Sequence, residues 1–348
     1  MLTPSKWQRL RTGTFIPANP LCLTPERTLD TAVQRKLVRY YLASGVGGLA
    51  VGVHTTQFAI REHGLYEEVL RISAQVTAKH GDPDTLLIAG VAGPTAQAVN
   101  EAKIARDLGY DLVLVSCGNL PGYSEDELIE RTRLIGEVLP VFGFYLQPAA
   151  GGRLLSADYW RKLADLPCVA AIKMAPFNRY QTLDVVRGVC ESPRYDDITL
   201  YTGNDDNIIV DLLAPYRMNV GGKTVKKRIV GGLLGHWSVW THAAVEYFNR
   251  VKAVADVGGD VPPELFVLAN EITDCNGVFF DAANNFAGCI AGLHDILVKQ
   301  GLMQGRWCLD PAEDVSPGQI EGIDRVRAAY PHLCDDDWIA AHIHEWED

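Results

Sequence analysis

One lysine in this sequence stands where a lysine is costly. In Val169-Ala170-Ala171-Ile172-Lys173-Met174-Ala175 it interrupts an apolar run of strand type, where an ammonium ion would lose its hydration. Burial favours the neutral amine, the form that attacks a carbonyl. The other lysines fall in helical or loop stretches. Strand alternation puts Ala171, Lys173 and Ala175 on one face, with room beside the amine, and Ala170, Ile172 and Met174 on the other. A second run, Val141-Phe142-Gly143-Phe144-Tyr145-Leu146-Gln147-Pro148, is expected to turn Phe142, Phe144 and Leu146 toward helices. Gly143, Tyr145 and Gln147 would then face the interior that holds Lys173. A tyrosine hydroxyl near the C-terminal end of one strand, beside a lysine near that end of the next, lies where barrel active sites are built. A third stretch, Val51-Gly52-Val53-His54-Thr55-Thr56-Gln57, ends a strand with two hydroxyls and loop N–H groups. These can hold a carboxylate or a developing oxyanion.

The elements that must position these groups alternate. Strand-like runs at Thr14–Pro17, Gly48–Val53, Leu86–Val91, Asp111–Ser116, Val141–Gln147, Val169–Met174, Thr199–Thr202 and Arg228–Leu234 are separated by amphipathic stretches of helical period. The helical stretches are Arg27–Ala43, Glu62–Lys79, Thr95–Leu108, Ser124–Val138, Ser156–Asp165, Arg179–Glu191, Asn207–Leu213 and Thr241–Val257. Nearly all-apolar strands mean a parallel sheet covered on both faces, and eight such units describe a (β/α)8 TIM barrel over residues 1–258. A doubly wound open sheet is the alternative. The Gly45–Gly48 run precedes a strand, however, and so lacks the context of a dinucleotide loop. After Gly258 the pattern is helical only, giving a C-terminal helical extension over residues 259–348. The basic stretch Pro215–Lys227 is expected to be a solvated surface loop, with a gating or subunit-contact loop as the alternative.

Composition narrows the function. The chain has 348 residues, 47% hydrophobic and 22% charged, with a net charge of −11, as expected of a globular protein with ample core. Acidity without a basic block argues against a nucleic-acid partner, and no apolar run approaches a membrane span. A soluble, cytoplasmic protein is expected. The eight cysteines follow no C-x-x-C or regular spacing and read as reduced thiols. His342 and His344 do not form a metal-like cluster, so no metal is expected.

Together, Tyr145 to Pro148 followed by the strand lysine, with Thr14–Pro20, Ala43–Leu49 and the closing Ile323–Arg325 through Asp335-Asp336, resemble the dihydrodipicolinate synthase / N-acetylneuraminate lyase family of class I, Schiff-base-forming barrels. The resemblance implies that Lys173 forms the imine and Tyr145 relays protons. It also implies that Thr55 and Thr56 hold the 2-keto acid carboxylate and that Gly203 ends the seventh strand. Substrate contacts at the mouth would come from Gln147, Arg153, Asn204, Asp205 and His236. No cofactor is implied, and the partner is a small 2-keto acid. The resemblance further implies a homo-oligomer, a dimer or tetramer. Departures are equally specific. His54 and Gln57-Phe58 replace the glycines and glutamate that flank the family's paired threonines. Gly118-Asn119 stands at the family's tyrosine pair, and Ala149-Ala150 where its clamp arginine follows the Tyr-x-x-Pro motif. Arg153 is the nearest substitute. These departures argue against the lysine-biosynthesis reaction. The expected activity is a lyase or aldolase on a different 2-keto acid. The alternatives are a dehydratase of a sugar-derived keto acid through the same imine, or a keto-acid-binding barrel without catalysis.

Overall fold

In a computed structural model that describes residues 2–347, the apolar runs form strands β1 (Phe15–Pro17), β2 (Gly48–Val51), β3 (Leu86–Val91), β4 (Leu112–Val115), β5 (Val141–Leu146), β6 (Val169–Ala175), β7 (Thr199–Thr202), β8 (Pro215–Val220) and β9 (Lys223–Leu234). All except β8 pair in parallel, in the order β1-β9-β7-β6-β5-β4-β3-β2. A parallel bridge between Ala18 and Ala50 brings the two ends of the sheet together. The result is a (β/α)8 barrel, which fits a sequence whose strands carry apolar side chains on both faces.

The outer ring consists of α2 (Thr31–Ala43), α3 (Tyr66–His80), α4 (Thr95–Asp107), α5 (Glu125–Gly136), α6 (Ala157–Asp165), α7 (Arg179–Glu191), α8 (Ile208–Leu213) and α9 (Thr241–Val257). Several open on side-chain caps. Ser124 and Glu127 form a reciprocal capping box on α5, and Asp30 and Ser156 cap α2 and α6. One helix was not anticipated: α1 (Pro4–Thr12), capped by Thr3 with proline in its first turn. Its Leu10 enters the barrel's inner cluster, and the Tyr201 hydroxyl donates to the Leu10 carbonyl at 2.8 Å. The helix therefore plugs the N-terminal end of the barrel. The polar character of its sequence reflects the outward face of a plug.

The basic insertion is not a loop. β8 pairs antiparallel with the first half of β9, from Pro215↔Arg228 to Val220↔Lys223, and turns at Gly221-Gly222, both with positive φ. Gly-Gly at the turn of a two-residue hairpin, with Tyr216, Met218 and Val220 on alternate positions, was the legible signal. β9 joins β7 only from Ile229 onward. The hairpin thus extends the eighth barrel strand from its N-terminal end, on the face opposite the strand ends where the site lies. This corrects both the loop expectation and the gating alternative.

Beyond α9 the chain continues as α10 (Glu264–Phe279), α11 (Cys289–Lys299), α12 (Gln319–Ala329) and α13 (Asp336–His342). Asp335 anchors them to the barrel. Its buried carboxylate accepts from the Tyr40 hydroxyl of α2 and the His242 N–H of α9, each at 2.8 Å, and from Gln300 Nε2 at 2.6 Å. Burial raises its pKa to about 6. All eight cysteines are free thiols, and among the described residues no helix is long and apolar enough to cross a membrane.

Candidate active site

Lys173 sits on β6 with its side chain in the barrel lumen, near the C-terminal strand ends where barrel active sites are built. Only 7% of it is exposed. Desolvation lowers its pKa to about 8, opposed by the charge of Asp205. The amine lies 4.5 Å from the centroid of the Phe144 ring, a contact that keeps part of the cationic form's stabilisation. Gly203, just after β7, leaves the lane the lysine uses. A Cβ there would stand 2.4 Å from Lys173 Cε and 2.9 Å from Ala175 Cβ. Ala171 and Ala175, on the lysine's own face, supply the rest of the room.

The threonine loop forms a 3₁₀ turn, His54–Thr56. Thr55 lines the pocket over Lys173, while Thr56 turns away. Its hydroxyl donates to the Asn19 carbonyl at 2.6 Å and accepts the Gly52 N–H at 3.0 Å, fastening the loop to the barrel rim. A second clamp lies below it. Arg61 donates to the carbonyls of Gly52 and Gly90 and pairs with buried Glu101 at 2.9 Å. As in any short helical turn, the first N–H groups, here on His54 and Thr55, are left without an intra-turn acceptor. His54, which was not expected among the site residues, also lines the pocket. Burial and the nearby Lys173 lower its pKa to about 4, so it is neutral at ordinary pH.

The loop after β7 contributes Asp205, which also lines the pocket. Burial raises its carboxyl pKa to about 7 against the hydrogen bond it accepts from the His236 N–H and the pull of Lys173. Gln147 reaches the pocket from the end of β5. Three of the other expected contacts are placed elsewhere. Asn204 receives the Phe177 N–H on its carbonyl and donates to Asp211. The His236 ring donates to the Asn276 side-chain carbonyl at 2.5 Å and stacks on Phe279, so only its backbone serves the site, through Asp205. Arg153 donates to the carbonyls of Leu120 and Tyr123, pinning the loop after β4. It is not among the pocket residues and so does not replace the clamp arginine there.

Tyr145 requires the largest correction. β5 and β6 pair as Phe144↔Lys173 and Tyr145↔Met174, so Phe144 shares the lumen with the lysine. Phe142, Phe144 and Leu146 fill the inner cluster, whereas Tyr145 packs in the outer one, its ring 5.0 Å from that of Trp160 on α6. Gly143 faces outward too, where Leu163 fills the space a side chain would need. The register shift between Val141 and Phe142 is decisive. Val141 pairs with Val169, and counting on evenly would set Tyr145 beside Lys173. The extra β6 residue exchanges the two faces.

The groups gathered around the amine are therefore Thr55, His54, Gln147 and Asp205. Phe280, Phe286, Cys289 and Leu293 of the C-terminal region close the mouth. No spacing in the sequence pointed to those four.

A model of the dihydrodipicolinate synthetase family matches residues 14–230. The chain belongs to that family. Its similarity to curated members extends beyond the barrel. N-acetylneuraminate lyase from Citrobacter koseri is 30% identical over 293 residues, covering 82% of each chain. The enzyme of that name from Escherichia coli strain SMS-3-5 is 30% identical over 291 residues. Among solved structures, dihydrodipicolinate synthase from Oceanobacillus iheyensis superposes with a TM-score of 0.75 at 16% identity, covering 94% of this chain and 99% of that one. CdNal from Clostridium difficile, solved in complex with mannosamine, superposes at 0.72 and 16% identity, covering 91% and 99%. At such identities the superpositions speak for the fold. Membership in the dihydrodipicolinate synthetase family makes the chain a class I aldolase-type lyase.

Proposed function

We propose that Lys173 forms an imine with the ketone of a pyruvate-like 2-keto acid and that the protein uses it to make or break the carbon–carbon bond next to the former ketone. The observation that carries this reading is the lysine itself: buried at the C-terminal mouth of a barrel, its amine held toward the neutral form by desolvation. A neutral amine attacks the ketone, and the protonated imine then accepts the electron pair released when the neighbouring bond breaks. The Thr55 hydroxyl and the N–H groups at the open end of the 54–56 turn are suited to receive the keto acid's carboxylate. Asp205, whose burial brings its pKa close to neutrality, is the group best suited to pass protons at the reacting oxygen. Neutral His54 and Gln147 can orient that oxygen by hydrogen bonding. Tyr145, set among the helices, is left outside this scheme. The reading includes a cytoplasmic location, which cell fractionation would check, and assembly into dimers or tetramers, which light scattering of the purified protein would check.

Borohydride trapping with pyruvate, read by peptide mass spectrometry, tests the proposal. An adduct on Lys173 that disappears in Lys173→Ala is expected. Absence of an adduct with pyruvate and with larger 2-keto acids would refute it.

A further inference from the structure

The pocket over Lys173 is unusual in what encloses it. Next to the amine stand Thr55, His54, Gln147 and Asp205, enough for one carboxylate and one reacting oxygen. The Phe144 ring lies against the amine itself, and farther out the wall is apolar: Leu146, Phe177, Phe280, Phe286 and Leu293. Among the described residues, no arginine and no lysine besides Lys173 lines it. A chain of hydroxyl groups placed against this wall would exchange water for carbon and leave its donors and acceptors unpaired.

Two of the aromatic rings are held at the cost of backbone strain. Phe177 has φ +52° and Phe286 φ +66°, the left-handed region that side-chain-bearing residues rarely adopt. Their rings meet across the mouth with centroids 5.6 Å apart. Asp281 and Asn285, in the same C-terminal segment, also have positive φ. The segment is tied down by Asp281, whose carboxylate accepts the Gly288 N–H at 2.9 Å and the Ser316 hydroxyl at 2.5 Å. Strain maintained at a pocket mouth by a dedicated anchor is a mark of functional positioning.

Building on the Schiff-base reading, we infer that the fragment joined to the keto acid is an apolar aldehyde, with an aryl ring fitting the phenylalanine wall, and not a polyhydroxylated one. In the synthetic direction, C3 of the Lys173-bound enamine bonds to the aldehyde carbon. The carbonyl π pair moves to the aldehyde oxygen, which takes a proton. Water then hydrolyses the imine, releasing a 4-hydroxy-2-keto acid and the free amine. Asp205, which lines the same pocket, supplies that proton.

The test pairs two measurements on one preparation of the purified protein. Borohydride trapping with pyruvate is performed first, and an adduct on Lys173 establishes the parent chemistry. Aldol addition of pyruvate to benzaldehyde, to glyceraldehyde and to N-acetylmannosamine is then compared. The expected result is a kcat/KM for benzaldehyde at least tenfold above either polyol aldehyde, with Phe286→Ser reducing that ratio. Comparable or better use of a polyol aldehyde, or an adduct without turnover of benzaldehyde, overturns this inference while leaving the imine reading intact. No adduct at all overturns both.

Discussion

Gly203→Ala is the smallest change that tests whether the lysine works where it stands. The new Cβ would lie 2.4 Å from Lys173 Cε, 2.9 Å from Ala175 Cβ and 3.1 Å from Lys173 Cγ. Carbon atoms in contact settle at about 3.5–4.0 Å, so the lysine must retreat by about 1 Å. Ala175, on the same strand, cannot share the movement without disturbing the barrel. A displacement of about 1 Å at a reacting atom costs on the order of 100-fold in rate, or about 2.7 kcal/mol of barrier. Overpacking of this kind costs about 1–3 kcal/mol of stability, small for a domain of this size. The assay is the single-turnover rate of imine trapping with pyruvate, followed on the Lys173 peptide, beside a thermal melt that reports folding. The trapping rate is expected to fall about 100-fold, with a modest decrease in Tm. A rate within twofold of the parent protein, in a variant that melts normally, would mean that the amine does not reach the keto acid along this lane.

Further outcomes follow from the same geometry. Imine formation should rise as pH climbs through about 8, because the fraction of neutral Lys173 grows there; a rate flat between pH 6 and 9 would contradict the depressed pKa. Asp205 holds that pKa up, so Asp205→Asn should move the midpoint of the trapping profile to lower pH, and an upward shift would reverse the assigned sign. Tyr145 packs on Trp160 outside the lumen, so Tyr145→Phe is expected to change the trapping rate by less than tenfold, where loss of a proton relay would cost on the order of 100-fold or more. Glu101→Gln leaves the largely buried Arg61 cation without its counter-charge. It should destabilise the fold by about 3–5 kcal/mol and raise KM for the keto acid through the loosened 54–56 turn, which denaturant melts and steady-state kinetics would read separately.

Particular residues explain why some of this was legible and some was not. Lys173 stands out because the strands of a parallel barrel are apolar on both faces, so any charge inside one is an anomaly readable without coordinates. The pairing of Thr55 with that lysine came through as well, since strand ends converge at one face of the barrel. The same two-sided apolarity hid the orientation of β5. Alternation divides Phe142, Phe144 and Leu146 from Gly143 and Tyr145, but nothing local says which set faces inward. The hairpin of β8 and β9 was written in its Gly221-Gly222 turn and alternating residues, and its many basic side chains obscured it. Phe280 and Phe286 lie more than a hundred residues beyond Lys173, and no periodicity connects them to the pocket.

By itself, the sequence determined the eightfold alternation of strand and helix, and with it the barrel, the lumen-facing lysine and the helical tail. Each of these follows from local period and polarity, which act within a few residues. Only the tertiary structure decided that one extra residue at the start of β6 turns Tyr145 outward and Phe144 inward. It also decided that Thr56 and Arg153 hold loops and that the tail supplies the pocket's outer wall. Those outcomes depend on register between strands and on packing between distant segments, where the free energy belongs to pairs of elements and is absent from either sequence segment alone.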